Sequence, residues 1–163
     1  MAGSVVIVEY IMVVTNEGNI PMYAKNIVDY MPKDMKFNSD LNPNWYAGND
    51  GNLYNNELSN TVINPGESKN IKLILTKTMT ENNTGLSNNR AEIYEAYNEL
   101  GIADIDSVPA NQAEGEDDLG TANVFVTVKT GEEVTYICTI LVALVIFVTG
   151  VYFIRRKTSR YYN

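Results

Sequence analysis

The feature that most constrains this chain is an uncharged run of 21 residues near its C-terminus, Val134 to Ile154. A helix of that length, at about 1.5 Å per residue, crosses a hydrocarbon core of roughly 30 Å. A buried helix of a soluble domain is usually shorter and keeps a polar face, which this run lacks. Tyr136 and Tyr152 lie near its ends, where aromatic side chains favour the headgroup region. The run therefore predicts a single transmembrane helix over 134–154.

The charges on either side of this run predict its orientation. Glu132 and Glu133 precede it, and Arg155, Arg156 and Lys157 follow it directly. Because Lys and Arg next to a span mark the cytoplasmic side, we expect a single-pass protein of the cell membrane whose larger N-terminal part is extracellular.

The N-terminus carries no recognisable signal peptide. Its first residues include no Lys or Arg, and Glu9 interrupts the apolar stretch. Since an outward-facing domain has to be exported, we expect the chain to be the C-terminal piece of a longer precursor whose upstream domains are its covalent partners.

Charge and composition exclude several classes of function. Residues 1–133 hold all 20 acidic residues and eight of the 12 basic ones, a net charge of −12, whereas the remaining thirty carry +4. A domain this acidic would be repelled by nucleic acid. The chain has no histidine and a single cysteine, Cys138, inside the apolar run. We therefore expect no enzyme, no disulfide and no zinc site of the usual ligand types.

The part before the span consists of short β-type runs separated by Asn, Gly, Asp and Pro. β-branched and aromatic residues that alternate with polar ones are typical of strands with one buried face. The predicted strands are 5–15, 23–31, 35–38, 70–79, 89–97 and 122–129. Helix is an alternative for 89–97 by propensity, but the neighbouring strands favour strand.

These runs predict an all-β, immunoglobulin-like sandwich followed by one C-terminal transmembrane α-helix. The sandwich occupies 1–130 and includes an acidic loop, 98–120. The membrane helix is 134–154, and a basic cytoplasmic tail forms 155–163. Trp45, in an Asn-rich stretch, is expected to pack in a satellite core or against a loop rather than to form a ligand platform.

Four sequence motifs resemble an Ig-like repeat of Gram-positive surface proteins, a domain of unknown function. They are Val14-Thr15-Asn16-Glu17-Gly18-Asn19, Asp29-Tyr30-Met31-Pro32 with Phe37, Pro65-Gly66-Glu67-Ser68, and Asn89-Arg90-Ala91-Glu92-Ile93. The resemblance extends from about Val5 to Lys129. It implies a stalk or adhesin module of a secreted bacterial protein, with no reaction attached.

The acidic loop is the candidate metal site. Carboxylates this close repel each other unless solvent or a cation screens them, and Ca²⁺ takes six to eight oxygen ligands. One reading is a solvated acidic loop with no cofactor. The other is structural Ca²⁺, with the candidate ligands Asp104, Asp106, Asn111, Asp117 and Asp118.

A sorting-like motif precedes the span at Thr130 and Gly131. Substrates of sortases carry Leu-Pro-x-Thr-Gly before a hydrophobic span and a basic tail. Here Thr127 and Val128 stand in place of the Leu and the Pro. We therefore favour a retained membrane anchor over attachment to the cell wall.

A Lys–Asn isopeptide crosslink is common in pilin-like sandwiches, and it needs a carboxyl group beside the pair to relay the proton. Spacing leaves Lys25 or Lys72 with Asn89 or Asn123 as candidates. Lysines on the wet face of a strand are the simpler interpretation.

The sequence as a whole predicts a non-catalytic, membrane-proximal stalk or anchor of a bacterial surface protein. The lipid bilayer is its expected partner. The alternatives are an adhesin module that binds a host or cell-wall ligand through the region around Trp45, and a sortase-attached, pilin-like subunit.

Overall fold

The structure is a computed structural model that describes residues 3–80, 84–104 and 106–126 together with the backbone of 139–148. This part of the chain is all-β apart from one short 3₁₀ helix, Ser39–Leu41. Its strands in chain order are β1 (Val5–Thr15), β2 (Tyr23–Tyr30), β3 (Lys36–Phe37), β4 (Trp45–Ala47), β5 (Leu53–Asn55), β6 (Ser68–Thr78), β7 (Gly85–Tyr97), β8 (Leu119–Val126) and β9 (Thr139–Val148).

The strands form two sheets. The first has the order β3-β6-β1-β9 and the second the order β4-β5-β2-β7-β8. Eleven residue pairs join β1 to β6, from Val5↔Thr78 to Thr15↔Ser68. Within the described residues every strand pair is antiparallel except β1–β9. The arrangement is that of a β-sandwich.

The core follows from alternation along the long strands. In β1 every second residue is buried, because successive side chains of a strand point to opposite faces. The same alternation in β6, β7 and β8 brings apolar side chains from both sheets into one cluster. Each Val, Leu or Ile buried in this way contributes about 1.5–3 kcal/mol by removing apolar surface from water. The main contributors are Val8, Tyr10, Met12, Val14, Leu73, Leu75, Ile27, Ile93 and Val124.

Two turns quoted from the sequence lie against each other. The Asn16 amide donates to the Glu67 carbonyl at 3.0 Å, and the Gly66 amide donates to the Asn16 carbonyl at 2.7 Å. Gly66 has a φ of 75°, which an L side chain rarely adopts. The Asn16 side chain is buried and donates to the Ile63 carbonyl at 2.8 Å. The asparagine and the Pro-Gly turn therefore form one connected corner of the first sheet.

The strand predictions agree with the structure to within a few residues in most cases, and 89–97 belongs to a strand that begins earlier, at Gly85. The short strands β4 and β5 were not predicted, because three-residue strands in an Asn-rich stretch show no periodicity. Trp45 begins β4 and is 4% exposed, and it belongs to the main core cluster rather than to a satellite core or a loop contact.

The C-terminal apolar run differs from the predicted helix. Ten of its 21 residues form β9, which pairs in parallel with β1 from Ile7↔Thr139 to Val14↔Val148. The remaining residues of 134–154 and the basic tail lie outside the described residues. A continuous apolar run that no charged residue interrupts is compatible with either a strand or a helix. Its Val, Ile and Thr residues favour the strand. The transmembrane helix is not shown and stays a prediction.

In the described residues there is no helix with the length and hydropathy needed to cross a bilayer.

Candidate functional site

The acidic loop joins β7 to β8 at one end of the second sheet. Its first turn is closed by Asn98, whose side chain accepts a hydrogen bond from the Ile102 amide at 3.0 Å and donates to the Ile102 carbonyl at 2.6 Å. Further along, Ala110 and Gln112 have φ values of 64° and 57°. These left-handed conformations are uncommon for residues with a Cβ, so other contacts must hold this segment.

Glu92 supplies those contacts from β7. It is 1% exposed, and its carboxylate accepts hydrogen bonds from the amides of Asn111 at 2.8 Å and Gln112 at 3.1 Å. The Tyr30 hydroxyl donates to the same carboxylate at 2.6 Å. These three donors satisfy the hydrogen-bonding capacity of the buried carboxyl group, which fixes the loop to the sheet.

Three carboxylates meet in the loop. Oxygen atoms of Asp104, Asp106 and Asp117 all lie within 4.8 Å of one another. Asp104 and Asp106 are exposed and Asp117 is half-buried. Ser107 lies between them and donates to Asp104 Oδ2 at 2.9 Å. We call these three aspartates the acidic triad.

The electrostatics of the triad reflect its crowding. A hydrogen bond with Asp104, partial burial and the charges of Asp117 and Asp104 raise the pKa of Asp106 to about 6. Burial and the charge of Asp104 also raise the pKa of Asp117 above its usual value. The charge of Asp104 therefore opposes the ionisation of both Asp106 and Asp117.

A fourth carboxyl, that of Asp118, follows Asp117 in the chain and is buried. It is 3% exposed, and neither of its oxygens has a hydrogen-bond partner within the described part of the chain. Burial raises its pKa to about 7, and the charges of Glu92, Glu116 and Asp117 act in the same direction. A buried carboxyl without a donor is rare in a folded protein, since its desolvation is then uncompensated.

The five predicted metal ligands are thus only partly brought together. Asp104, Asp106 and Asp117 form the triad, and Asp118 lies next to Asp117 in the chain with its side chain buried. The Asn111 side chain is engaged elsewhere: its Oδ1 accepts from the Ala113 amide at 2.7 Å and its Nδ2 donates to Glu116 at 3.0 Å. Its role is to shape the loop.

A buried polar cluster was missed by sequence reasoning. Lys77 is 1% exposed and its Nζ lies 2.7 Å from Asp34 Oδ2. Ser87 accepts from Lys77 at 2.8 Å and donates to Asp34 at 2.6 Å. The signal was the alternation of β6, in which Lys77 continues the buried positions Ile71, Leu73 and Leu75.

The crosslink candidates do not form the predicted pairs. Lys25 donates to the Ser59 carbonyl at 2.7 Å, and Lys72 pairs with Glu9 at 3.4 Å on the surface. Asn123 is exposed, whereas Asn89 is fully buried. Both lysines are therefore engaged away from the core, and the isopeptide crosslink stays a prediction.

A shallow groove beside Trp45 has a volume of about 360 Å³. It is lined by Leu41, Asn42, Pro43, Asn44, Trp45, Glu57, Asn70, Ile71 and Lys72. The indole ring of Trp45 is buried and its Nε1 donates to the Lys72 carbonyl at 2.7 Å. The groove therefore offers polar and apolar surface to a ligand in about equal measure.

The sorting-like residues Thr130 and Gly131 and the basic flank Arg155, Arg156 and Lys157 lie outside the described residues. Comparison with family models, curated proteins and solved structures finds no match for this chain.

Proposed function

We propose that this chain is a non-catalytic, membrane-proximal module of a bacterial cell-surface protein, which holds upstream domains away from the bilayer. One observation carries the proposal: a 21-residue uncharged run separates an acidic domain from a basic tail. Moving apolar side chains into lipid is favourable, and the Arg and Lys residues that follow resist translocation.

The acidic domain suits an extracellular position. Its net charge of −12 keeps it soluble and prevents attraction to anionic lipid headgroups. The tail carries Arg155, Arg156, Lys157 and Arg160 without an acidic residue, and it would interact favourably with the anionic inner leaflet.

A sandwich of this kind suits the role of a spacer. The eleven residue pairs between β1 and β6 connect the strand nearest the N-terminus to the core over its whole length. The pairing of β1 with β6 in one sheet, and of β2, β7 and β8 in the other, supports the immunoglobulin-like assignment. Such modules resist force when many backbone hydrogen bonds have to break together.

The proposal requires β9 to leave the edge of β1 when a bilayer is present. Among the described strands, β9 lies at the edge of the first sheet and has β1 as its neighbour. In lipid every backbone polar group needs an internal partner, which a helix provides and an edge strand does not. In water an apolar edge strand is a template for aggregation, so insertion would also remove that hazard.

Topology is testable by labelling of introduced cysteines in a Cys138→Ala background. Asp40→Cys is exposed on the domain, and Ser159→Cys lies in the tail. With the full chain exported behind a bacterial signal sequence, a membrane-impermeant maleimide added to intact cells should modify the first variant. The second should react only after lysis. The opposite labelling pattern would show that the proposed orientation is wrong.

A matched control tests the anchor itself. Leu144→Arg places a charge in the middle of the run, at a cost of about 3 kcal/mol for insertion, and should shift the chain from the membrane fraction to the soluble one. If the parent chain is already soluble, the anchor proposal fails.

The groove beside Trp45 favours a second candidate, a ligand-binding module. Asn44, Glu57 and Asn70 line it and could hydrogen-bond to a polar ligand such as a glycan. Retention of the parent chain on immobilised host or wall glycans, and loss of retention in Glu57→Ala, would favour this function. A pure spacer should not be retained.

A further inference from the structure

We propose that the outer face of the second sheet carries a docking surface for arginine side chains of a basic partner protein. Three tyrosines form it, Tyr46 of β4, Tyr54 of β5 and Tyr94 of β7, and we call them the tyrosine surface. None of the three lines the groove beside Trp45, and the proposal holds whether or not the apolar run is an anchor.

Each of the three tyrosines directly follows a residue of the core in a strand of the second sheet. Successive side chains of a strand point to opposite faces, so the tyrosines lie on the outer face of this sheet. The core neighbours are Trp45 before Tyr46, Leu53 before Tyr54, and Ile93 before Tyr94.

The three rings lie against one another. Tyr46 is directly opposite Tyr54, and their stacked rings have centroids 5.7 Å apart and planes inclined by 23°. Tyr94 meets Tyr54 edge to face, with centroids 5.2 Å apart and planes inclined by 86°. Cross-strand packing of this kind stabilises a sheet, yet Tyr46 remains 47% exposed and Tyr94 43% exposed. The outer rings therefore leave aromatic surface in water that a partner can cover.

Hydrogen bonds fix the rings and place an anion beside them. The Tyr54 hydroxyl donates to Asp50 Oδ2 at 2.7 Å, and the Asn26 side chain donates to the Tyr46 hydroxyl at 3.3 Å. The bond from Tyr54 and those from Asn52 hold the pKa of Asp50 below its usual value, so this exposed carboxyl is an anion at neutral pH. Rings that are already fixed lose little conformational entropy when a partner binds.

A cation already lies against other tyrosines of this face. Tyr23 and Lys25 flank the core residue Ala24 in β2, so their side chains point outward. The Lys25 Nζ lies 5.0 Å from the centroid of the Tyr23 ring and 5.3 Å from that of the Tyr97 ring. Such contacts are attractive because the face of an aromatic ring carries negative potential. Within the described residues, no Lys or Arg takes the same position over the tyrosine surface.

Charge complementarity selects the partner. Residues 1–133 have a net charge of −12, and one of their anions, Asp50, lies at the tyrosine surface itself. A second copy of the domain, a nucleic acid or an anionic bilayer is repelled by this charge, whereas a basic protein is attracted. Arginine suits the site better than lysine, because its planar guanidinium stacks on aromatic rings and pairs with carboxylates. Arg and Tyr are also enriched at interfaces between proteins.

The test is a titration of the full chain, in an uncharged detergent, against short labelled peptides, followed by fluorescence anisotropy. The probe is a nine-residue peptide that repeats Gly-Ser-Arg, and the two comparison peptides carry Lys or Glu in place of Arg. We expect saturable binding of the Arg peptide, binding of the Lys peptide that is weaker by about threefold or more, and no binding of the Glu peptide.

Variants separate the rings from diffuse charge and from folding. Tyr46→Leu should weaken binding of the Arg peptide by roughly 3- to 30-fold, the effect of losing one cation–π contact. Tyr46→Phe keeps the ring and should bind within about twofold of the parent. Tyr97→Leu is the matched control, because it removes a similarly exposed tyrosine whose ring Lys25 already covers, and it should also bind within about twofold. Melting temperatures close to that of the parent show that weaker binding is not lost folding.

Four results would overturn the proposal. The first is no saturable binding of the Arg peptide at millimolar concentration. The second is equal weakening in Tyr46→Leu and Tyr97→Leu, and the third is equal binding of the Arg and Lys peptides, since both would indicate diffuse attraction to an acidic domain. The fourth is tighter binding of a neutral oligosaccharide, such as a chitin hexamer, that is lost in Tyr46→Leu, because the surface would then bind glycans instead.

Discussion

Asn89 donates its side-chain amide to Asp29 at 2.6 Å, and both residues are fully buried between the sheets. Neither Asp29 Oδ1 nor Asn89 Oδ1 has a hydrogen-bond partner in the described part of the chain. Burial raises the pKa of Asp29 to about 8, although the bond from Asn89 acts in the opposite direction. The core of this sandwich therefore contains a carboxyl group that is largely protonated at neutral pH.

This pair predicts a pH-dependent stability. The pKa of Asp29 is higher in the folded state than the value of about 3.9 in the unfolded chain. The folded state thus holds a proton that the unfolded state has released, and stability falls as pH rises from about 4 towards 8. The slope for this one group is at most about 1.4 kcal/mol per pH unit.

Asp29→Asn should remove that contribution while keeping the shape of the side chain. The measurement is thermal unfolding at pH 5, 6, 7 and 8, followed by the fluorescence of Trp45, the single tryptophan. The variant should lose less stability across this range than the parent, and the exposed control Asp40→Asn should follow the parent. Identical slopes in Asp29→Asn and the parent would contradict the prediction.

The buried ion pair predicts unequal effects of removing either partner. Asp34→Ala leaves the Lys77 ammonium buried with only Ser87 nearby, and should cost about 3–5 kcal/mol. Lys77→Met leaves a carboxylate that is 32% exposed and can be solvated, so it should cost less. Denaturant unfolding of both variants and of the double variant tests the order. If Lys77→Met lowers the free energy of unfolding more than Asp34→Ala does, water does not stabilise the Asp34 carboxylate, contrary to what its partial exposure indicates.

The hydrogen bond from Trp45 to the Lys72 carbonyl links the two sheets, and we expect it to contribute to stability. Trp45→Phe removes the indole donor and leaves the Lys72 carbonyl without its 2.7 Å bond. The expected loss is about 1–3 kcal/mol in unfolding free energy, measured by circular dichroism. Tyr46→Phe, at a neighbouring residue that is 47% exposed, should change stability by less than about 0.5 kcal/mol. Equal effects of the two substitutions would show that the bond contributes little.

The apolar run predicts a change of secondary structure with its surroundings. Transfer of the full chain from water to nanodiscs should add a helical signal from about 21 residues, because the bilayer favours internal backbone hydrogen bonds. Backbone amides of β1 that face β9 should exchange faster with solvent at the same time. Leu144→Arg should suppress both changes. Retained protection of β1 in nanodiscs would mean that β9 stays in the sheet.

Local alternation accounts for the part of the fold that was predictable. Val6, Val8 and Tyr10 recur with a period of two, and this period alone identifies β1 and its buried face. The same rule applied to β6 would have marked Lys77 as buried, because its phase matches Leu73 and Leu75. The burial of Lys77 was missed because a lysine is ordinarily assigned to the solvent-exposed face of a strand.

The candidate site was predictable in its chemistry and not in its geometry. The density of carboxylates in the loop indicates where a cation would be attracted, and Asp104, Asp106 and Asp117 were among the predicted ligands. That Asn111 bonds to Glu116 instead, and that Glu92 holds the loop from β7, depends on contacts between separate segments. No local spacing encodes such contacts.

The sequence by itself determined the longer strands before the apolar run, the acidic character of the domain and the uncharged run, because each depends on neighbouring residues or on their sum. Tertiary structure decided which polar groups are buried together. Asp29 meets Asn89 only when β2 and β7 pair within the second sheet, and Lys77 of β6 meets Asp34 only when the loop between β2 and β3 packs against the first sheet. Tertiary structure also decided that a ten-residue strand from the apolar run pairs with β1. The hydrophobic effect favours the removal of such residues from water but does not specify their partner. Whether they pair with β1 or enter a bilayer depends on which of these surfaces is available.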